Sequence, residues 1–255
     1  MPIKQEIKDH LILLAQKYET PAFLAHDPAQ FMHRYKMPRD QEAAAFIGAN
    51  MAFGRRDQIL SHVEAVLKEA GESPAEWIEK GSYRAFFTQG AKSFYRMYTH
   101  NDFVLFFDVL KDILQTAGTI GDAVRQRYSG GFLHETLATF FPKECALIPH
   151  SEHSASKRLN MLSRWMVRRG SPVDLGLWEW FPANRLLIPL DTHVMQEAHK
   201  LGLLKVKSAS LKAAVHLTEL MREVFPDDPV KADFALFGLG VDQGAKAVDF
   251  ACDTL

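Results

Sequence analysis

Ile188-Pro-Leu-Asp-Thr-His-Val194 is the stretch that decides how this chain is read, together with the run behind it, in which Val194, Ala198 and Leu201 share one helical stripe. Asp191 stands after a proline-bearing loop and before an apolar-periodic segment. There a carboxylate can accept the unpaired amides of a helix's first turn. Taken alone, the segment is a loop handing over to a helix with an aspartate as its N-cap.

Helical spacing continues outward in both directions. Ile7, Leu11, Leu14 and Ala15 fall on one helical face, and so do Ile59, Val63, Val66 and Leu67, whereas alternation over a strand length is absent. The expected fold is all-α. Breaks at Pro21, Asp27-Pro28, Pro38 to Asp40, Gly71 to Pro74, Gly130-Gly131, Pro142 to Ser156, Gly170 to Pro172, Pro182 to Pro189 and Pro226 to Pro229 leave room for about nine or ten helices. We expect two helical lobes around a cleft, residues 30–140 and 145–205, with 206–255 packing back as part of one domain. The aromatics gathered in the first half, Phe86, Phe87, Phe94, Tyr95, Tyr98, Phe103, Phe106 and Phe107, read as core and cleft wall. Asp233 to Gly240 reads as an apolar helix running into a glycine-rich turn. It follows no strand and lacks the third glycine of a dinucleotide fingerprint, so it is no nucleotide site.

Composition narrows the function classes. With 47% hydrophobic and 24% charged residues over 255 positions, the chain can bury one sizeable core. No apolar run reaches the roughly 20 residues of a membrane span, and the polar start is no signal peptide. A cytoplasmic, nucleoid-associated protein is expected. Two cysteines, Cys145 and Cys252, cannot build a four-cysteine metal site, and both read as buried thiols. The histidine pairs do not suggest a metal site either: His193 and His199 diverge by about 240° around a helix, and His150 and His153 have no acidic cluster beside them. No metal or cofactor is expected. A net charge of -1 argues against coating nucleic acid by charge alone, so DNA contact would need a local basic face. One candidate face lies in Lys157-Arg-Leu-Asn-Met-Leu-Ser-Arg-Trp-Met-Val-Arg-Arg169, five basic residues in thirteen positions without an acid. Lys157, Arg164 and Arg168 share one helical face there.

Three strings carry a resemblance. Pro-Leu-Asp-Thr-His-Val, leading into a helix that ends in Leu-Gly-Leu, resembles the aspartate motif of the helix-hairpin-helix, endonuclease III-type superfamily of DNA glycosylases. Glu42 to Leu60 resembles that superfamily's first pocket helix, with Gly48, Ala49 and Asn50 at a small-small-amide step. Bifunctional members carry a nucleophilic lysine opening a helix after a glycine hairpin, roughly eighteen residues before the aspartate; that position here is Val173. Lys157, thirty-four positions before Asp191, instead resembles the wider spacing of the archaeal 8-oxoguanine DNA glycosylases. Over nearly its full length the chain is also similar to a bacterial family, without an assigned activity, that shares the Lys-Arg-Leu-Asn-Met and Pro-Leu-Asp-Thr-His-Val strings. The Leu-Pro-Gly-x-Gly hairpin is missing, and Ser154 to Ser156 stand in its place.

The resemblance implies a base-excision DNA glycosylase with apurinic-site lyase activity on an oxidised base, 8-oxoguanine first, acting as a monomer on damaged double-stranded DNA. Asp191 would stabilise positive charge on the sugar, and Lys157 would attack C1′ and form a Schiff base. A free amine of this kind titrates near 10.4 and must lose its proton to attack, a difference worth roughly 4 kcal/mol. Arg158, Arg164, Arg168, Arg55 and Arg56 are the candidates for phosphate contact. Asn50, Phe53, Trp165, Trp178 and His193 are the candidates for the base pocket. Two other readings fit the same residues: a non-catalytic helical DNA-binding or interaction module that keeps Asp191 as a cap, and a helical hydrolase of a small phosphorylated or nucleoside substrate that uses the histidines.

Overall fold

Prolines or small polar caps open the helices that begin at Pro38, Pro74, His100, Ile120, Thr192 and Leu211, whereas those that begin at Gln5, Arg56 and Leu133 start after Lys4, Arg55 and Phe132 without a side-chain cap. The computed structural model describes residues 2–206 and 208–252, with side chains through 242. Helix α1 spans Gln5–Tyr18 and is followed by 3-10 turns at Pro21–His26 and Pro28–Arg34, the second capped by Asp27. Then come α2 (Pro38–Met51), α3 (Arg56–Ala70), α4 (Pro74–Glu79) and α5 (Tyr83–Phe86). Proline opens α2 and α4, where its missing amide and fixed φ cost nothing. After a β-hairpin follow α6 (His100–Ala117), α7 (Ile120–Arg127) and α8 (Leu133–Ala138). The last four helices are α9 (Lys157–Val167), α10 (Thr192–Lys200), α11 (Leu211–Met221) and α12 (Ala232–Cys252). Thr99 and Asp102 close a capping box on α6, while Thr119, Asp191 and Ser210 cap α7, α10 and α11, each satisfying an otherwise orphaned amide.

The architecture is all-α, and none of the described helices is long and apolar enough to cross a membrane. Twelve helices stand among the described residues, more than the spacing suggested, because pieces as short as α5 carry too few residues to show a period. The extended structure among the described residues is an antiparallel pair, β1 (Ser93–Tyr95) with β2 (Tyr98–Thr99), and a lone bridge between Ser154 and Ser210. Strands of three and two residues cannot display alternation, so the sequence hid them.

One contiguous apolar cluster holds the helices together. Phe46 of α2 meets Phe106 of α6 and Phe141, and α2 also packs on α9. At the other end α12 lies along both α1 and α10. The expected turn at Gly238 and Gly240 is corrected here, because α12 runs through both. A Cβ on Gly238 would meet the Tyr18 ring at 2.2 Å, and one on Gly240 would meet the His193 Cβ at 3.0 Å. These glycines serve close helix crossings, not chain reversal.

Candidate active site

Lys157 opens α9 directly after Ser156, which sits in the left-handed region at φ 44, ψ 42, a conformation that usually calls for glycine. The turn is held locally, with the Ser156 amide donating to Ser154 Oγ at 3.1 Å. Ser154 and Ser156 thus shape the sharp entry into α9. The half-buried Lys157 side chain reaches back to the end of α2, with Nζ 3.5 Å from the Ala52 carbonyl. Among the described residues no carboxylate lies within ion-pairing distance of it.

Asp191 is half-buried at the start of α10, where Oδ1 accepts from the Val194 amide at 2.9 Å. Its capping role is therefore met, and the cap fixes the carboxylate. What links the two residues is a third that sequence reasoning missed. Asp233, buried in the first turn of α12, has its carboxyl pushed up to about 6, chiefly by burial. Arg164 opposes that shift, Asp191 adds to it and Lys157 opposes it. Lys157 and Asp191 thus both lie within electrostatic reach of one buried acid. Asp27, half-buried at the start of the second 3-10 turn, is a second raised acid: burial raises it, while the Ala29 amide, Arg164, Lys157 and Arg56 pull it down. In the sequence Asp27 marked only a break before Pro28 and Asp233 only a helix start; neither pattern signals a neighbour far along the chain.

A cavity of about 270 Å³ opens beside Asp27, with Phe23, His26, Arg56 and Phe237 in its wall. The exposed His193 sets its ring edge-on to Phe237 at 5.9 Å, and the exposed Arg56 guanidinium stands 5.9 Å from the same ring. Arg56 and His193 thus flank the Phe237 ring at this cavity, whereas Lys157 and Asp191 do not line it and are connected to each other through their common influence on Asp233.

Other candidates lie elsewhere. Arg164 and Arg168 are each 3% exposed and pair internally. Arg164 holds Asp174 and Asp233; Arg168 holds Asp174, Asp228 at 2.7 Å and Glu19 at 2.8 Å. Both guanidiniums also cover the Phe234 ring. Their expected phosphate role is corrected: the stripe faces inward, because the acids that neutralise it come from distant segments. Arg158 donates to the Asn50 carbonyl at 2.7 Å and lies over Phe53 and Tyr98, so it fastens the end of α2. Arg55 is exposed and paired with Asp57 at 2.8 Å.

The aromatic pocket is corrected as well. Trp165 is wholly buried against Gly48, and Trp178 is buried with Nε1 donating to Glu42 at 2.7 Å. Glu42 in turn accepts the Ile120 and Gly121 amides at the start of α7. Both tryptophans are core, out of reach of a base arriving from solvent. Asn50 is buried, its Nδ2 donating to Phe46 while Oδ1 lacks a protein partner among the described residues. Phe53 is half-buried between Tyr95 and Tyr98. Cys145 is buried, which pushes its thiol up to about 11, and the Cys252 side chain lies outside the described residues. A wider groove of about 640 Å³ runs between Glu152-His153 and α11, where His216 and Glu219 join it. Among the described residues no group of three or more His, Cys, Asp or Glu could hold a metal ion.

The family model described as "Protein of unknown function (DUF2400)" matches residues 27–242. No curated protein and no solved structure matches the chain.

Proposed function

The chain belongs to the DUF2400 family, and from that premise we propose that it is a base-excision DNA glycosylase with apurinic-site lyase activity. The observation that supports this proposal is the placement of two groups: the Lys157 amine, which has no carboxylate ion-pair partner among the described residues and reaches the Ala52 carbonyl, and the Asp191 carboxylate fixed by its cap, both near enough to the buried Asp233 to bias its charge. Breaking a glycosidic bond develops positive charge on the sugar, and a carboxylate held nearby lowers the transition state more than the ground state. Asp191 supplies that charge without having to move, since its cap already orients it. The Lys157 amine, once neutral, attacks C1′ as the base departs with a proton. Breaking of the C1′–O4′ bond, with O4′ taking up a proton, opens the sugar ring and gives a Schiff base, and removal of a C2′ proton then expels the 3′ phosphate. The substrate is damaged duplex DNA bearing an oxidised base, with 8-oxoguanine first because of the thirty-four-residue spacing. Arg55 and Arg56, exposed at the turn into α3, are the phosphate contacts this reading retains.

The Asp191 cap hydrogen bond equally supports the second reading, a non-catalytic DNA-binding module. One assay separates them. The full chain is mixed with duplexes carrying a panel of oxidised bases or a natural abasic site, with and without borohydride. Turnover and a covalent complex that Lys157→Gln abolishes, with DNA binding retained, are expected. A trapped complex that survives Lys157→Gln removes the lysine from this role, and salt-dependent binding without turnover on any lesion leaves the module.

A further inference from the structure

Among the described residues Met97 is the most exposed large apolar side chain, at 69%. It occupies the two-residue turn Arg96-Met97 between β1 and β2, whose flanking residues Tyr95 and Tyr98 pair across the hairpin and are buried. Arg96 takes φ 55, a left-handed value that a non-glycine residue adopts only under constraint. The constraints are visible. Ser93 Oγ donates to the Arg96 carbonyl at 2.6 Å, and the Tyr95 hydroxyl donates to the Phe53 carbonyl at 2.6 Å. The Arg96 guanidinium lies 5.0 Å from the Phe53 ring and so close to Gly54 that a Cβ there would fall 2.5 Å from Nη1. Phe53 directly follows Ala52, whose carbonyl faces Lys157 Nζ. A hairpin tip presenting one apolar side chain is thus tied, through Arg96 and Tyr95, to Phe53, the residue after the one whose carbonyl faces the candidate nucleophile.

We propose that this hairpin tip is a DNA wedge, with Met97 entering the base stack where a nucleotide is extruded and Arg96 meeting the adjoining phosphate. The inference rests on the DNA reading above. A duplex is the fitting occupant because the tip carries positive charge: Arg96 is exposed in the turn itself with its guanidinium against Gly54, Arg55 directly after Gly54 is exposed and paired with Asp57, and Lys92 is exposed just before β1. An apolar side chain among guanidiniums matches a stacked apolar interior behind a phosphate rail. A nucleotide that leaves the helix opens a gap whose filling recovers part of the lost stacking.

The test uses the full chain and a duplex containing a tetrahydrofuran abasic analogue, which has no aldehyde for Lys157, opposite 2-aminopurine. Wild-type protein should raise the 2-aminopurine fluorescence. Met97→Ala should lose most of that rise and bind the analogue about tenfold more weakly, while binding to undamaged duplex changes by no more than about twofold. Met97→Leu should restore the signal. Equal fluorescence and affinity for wild type and Met97→Ala overturn the wedge, as does a Met97-dependent self-association without any DNA effect. A Met97-dependent rise without covalent trapping at Lys157 would keep the wedge and remove the lyase. Successful trapping with no Met97 dependence would do the reverse.

Discussion

At the scale of single residues, Asp191 has one observed role, as a helix cap, and one proposed role, as a catalytic charge, and an isosteric substitution separates them. As a cap it accepts the Val194 amide; as a charge it faces the region around Asp233. Asparagine caps about as well as aspartate, whereas alanine costs about 1 kcal/mol. Asp191→Asn should therefore leave the melting temperature unchanged and lower kcat on lesion DNA by about 10²–10³. Asp191→Ala should lower both. An Asn variant with wild-type turnover would make the residue a cap only. Asp191 and Lys157 were legible in the sequence because a cap and a helix start are local features. Arg164 and Arg168 were misread because the sign of an arginine's surroundings is set by residues as distant as Glu19 and Asp228.

At the scale of elements, α12 shows how one small residue governs an approach. Replacing glycine by alanine inside a helix ordinarily gains about 1 kcal/mol, so Gly238 would be a weakness if nothing crossed it. Here the added Cβ meets the Tyr18 ring, and that ring cannot swing away freely because its hydroxyl donates to Asp242 at 2.6 Å. Overpacking of this kind costs about 1–3 kcal/mol, enough to reverse the helical gain. Gly238→Ala should destabilise the protein in chemical denaturation; a stabilised variant would mean that α1 and α12 lie farther apart. The helix itself was plain from its apolar residues, but its run through both glycines was not. A glycine pair reads as a turn until a partner helix is seen against it.

At the scale of the whole molecule, the buried ions bind the two ends of the chain to its middle. Asp174 is shared by Arg164 and Arg168, and the same guanidiniums reach Glu19 beyond α1, Asp228 before α12 and Asp233 within it. Removing one member of a buried pair leaves an uncompensated charge, at about 3–5 kcal/mol. Asp174→Ala should thus lower the melting temperature by roughly 10 °C, far more than removing the exposed partner Asp57 of Arg55. Equal effects would mean that the network is hydrated. By itself the sequence determined the helical class, most helix starts and the two local features that nominate Lys157 and Asp191, because periodicity, proline and capping act within a few residues. The tertiary structure alone decided which arginines are neutralised, which tryptophans are core, and that Asp27 and Asp233 join the candidate site. Burial and Coulomb interaction depend on distance through space, and a linear pattern does not contain it.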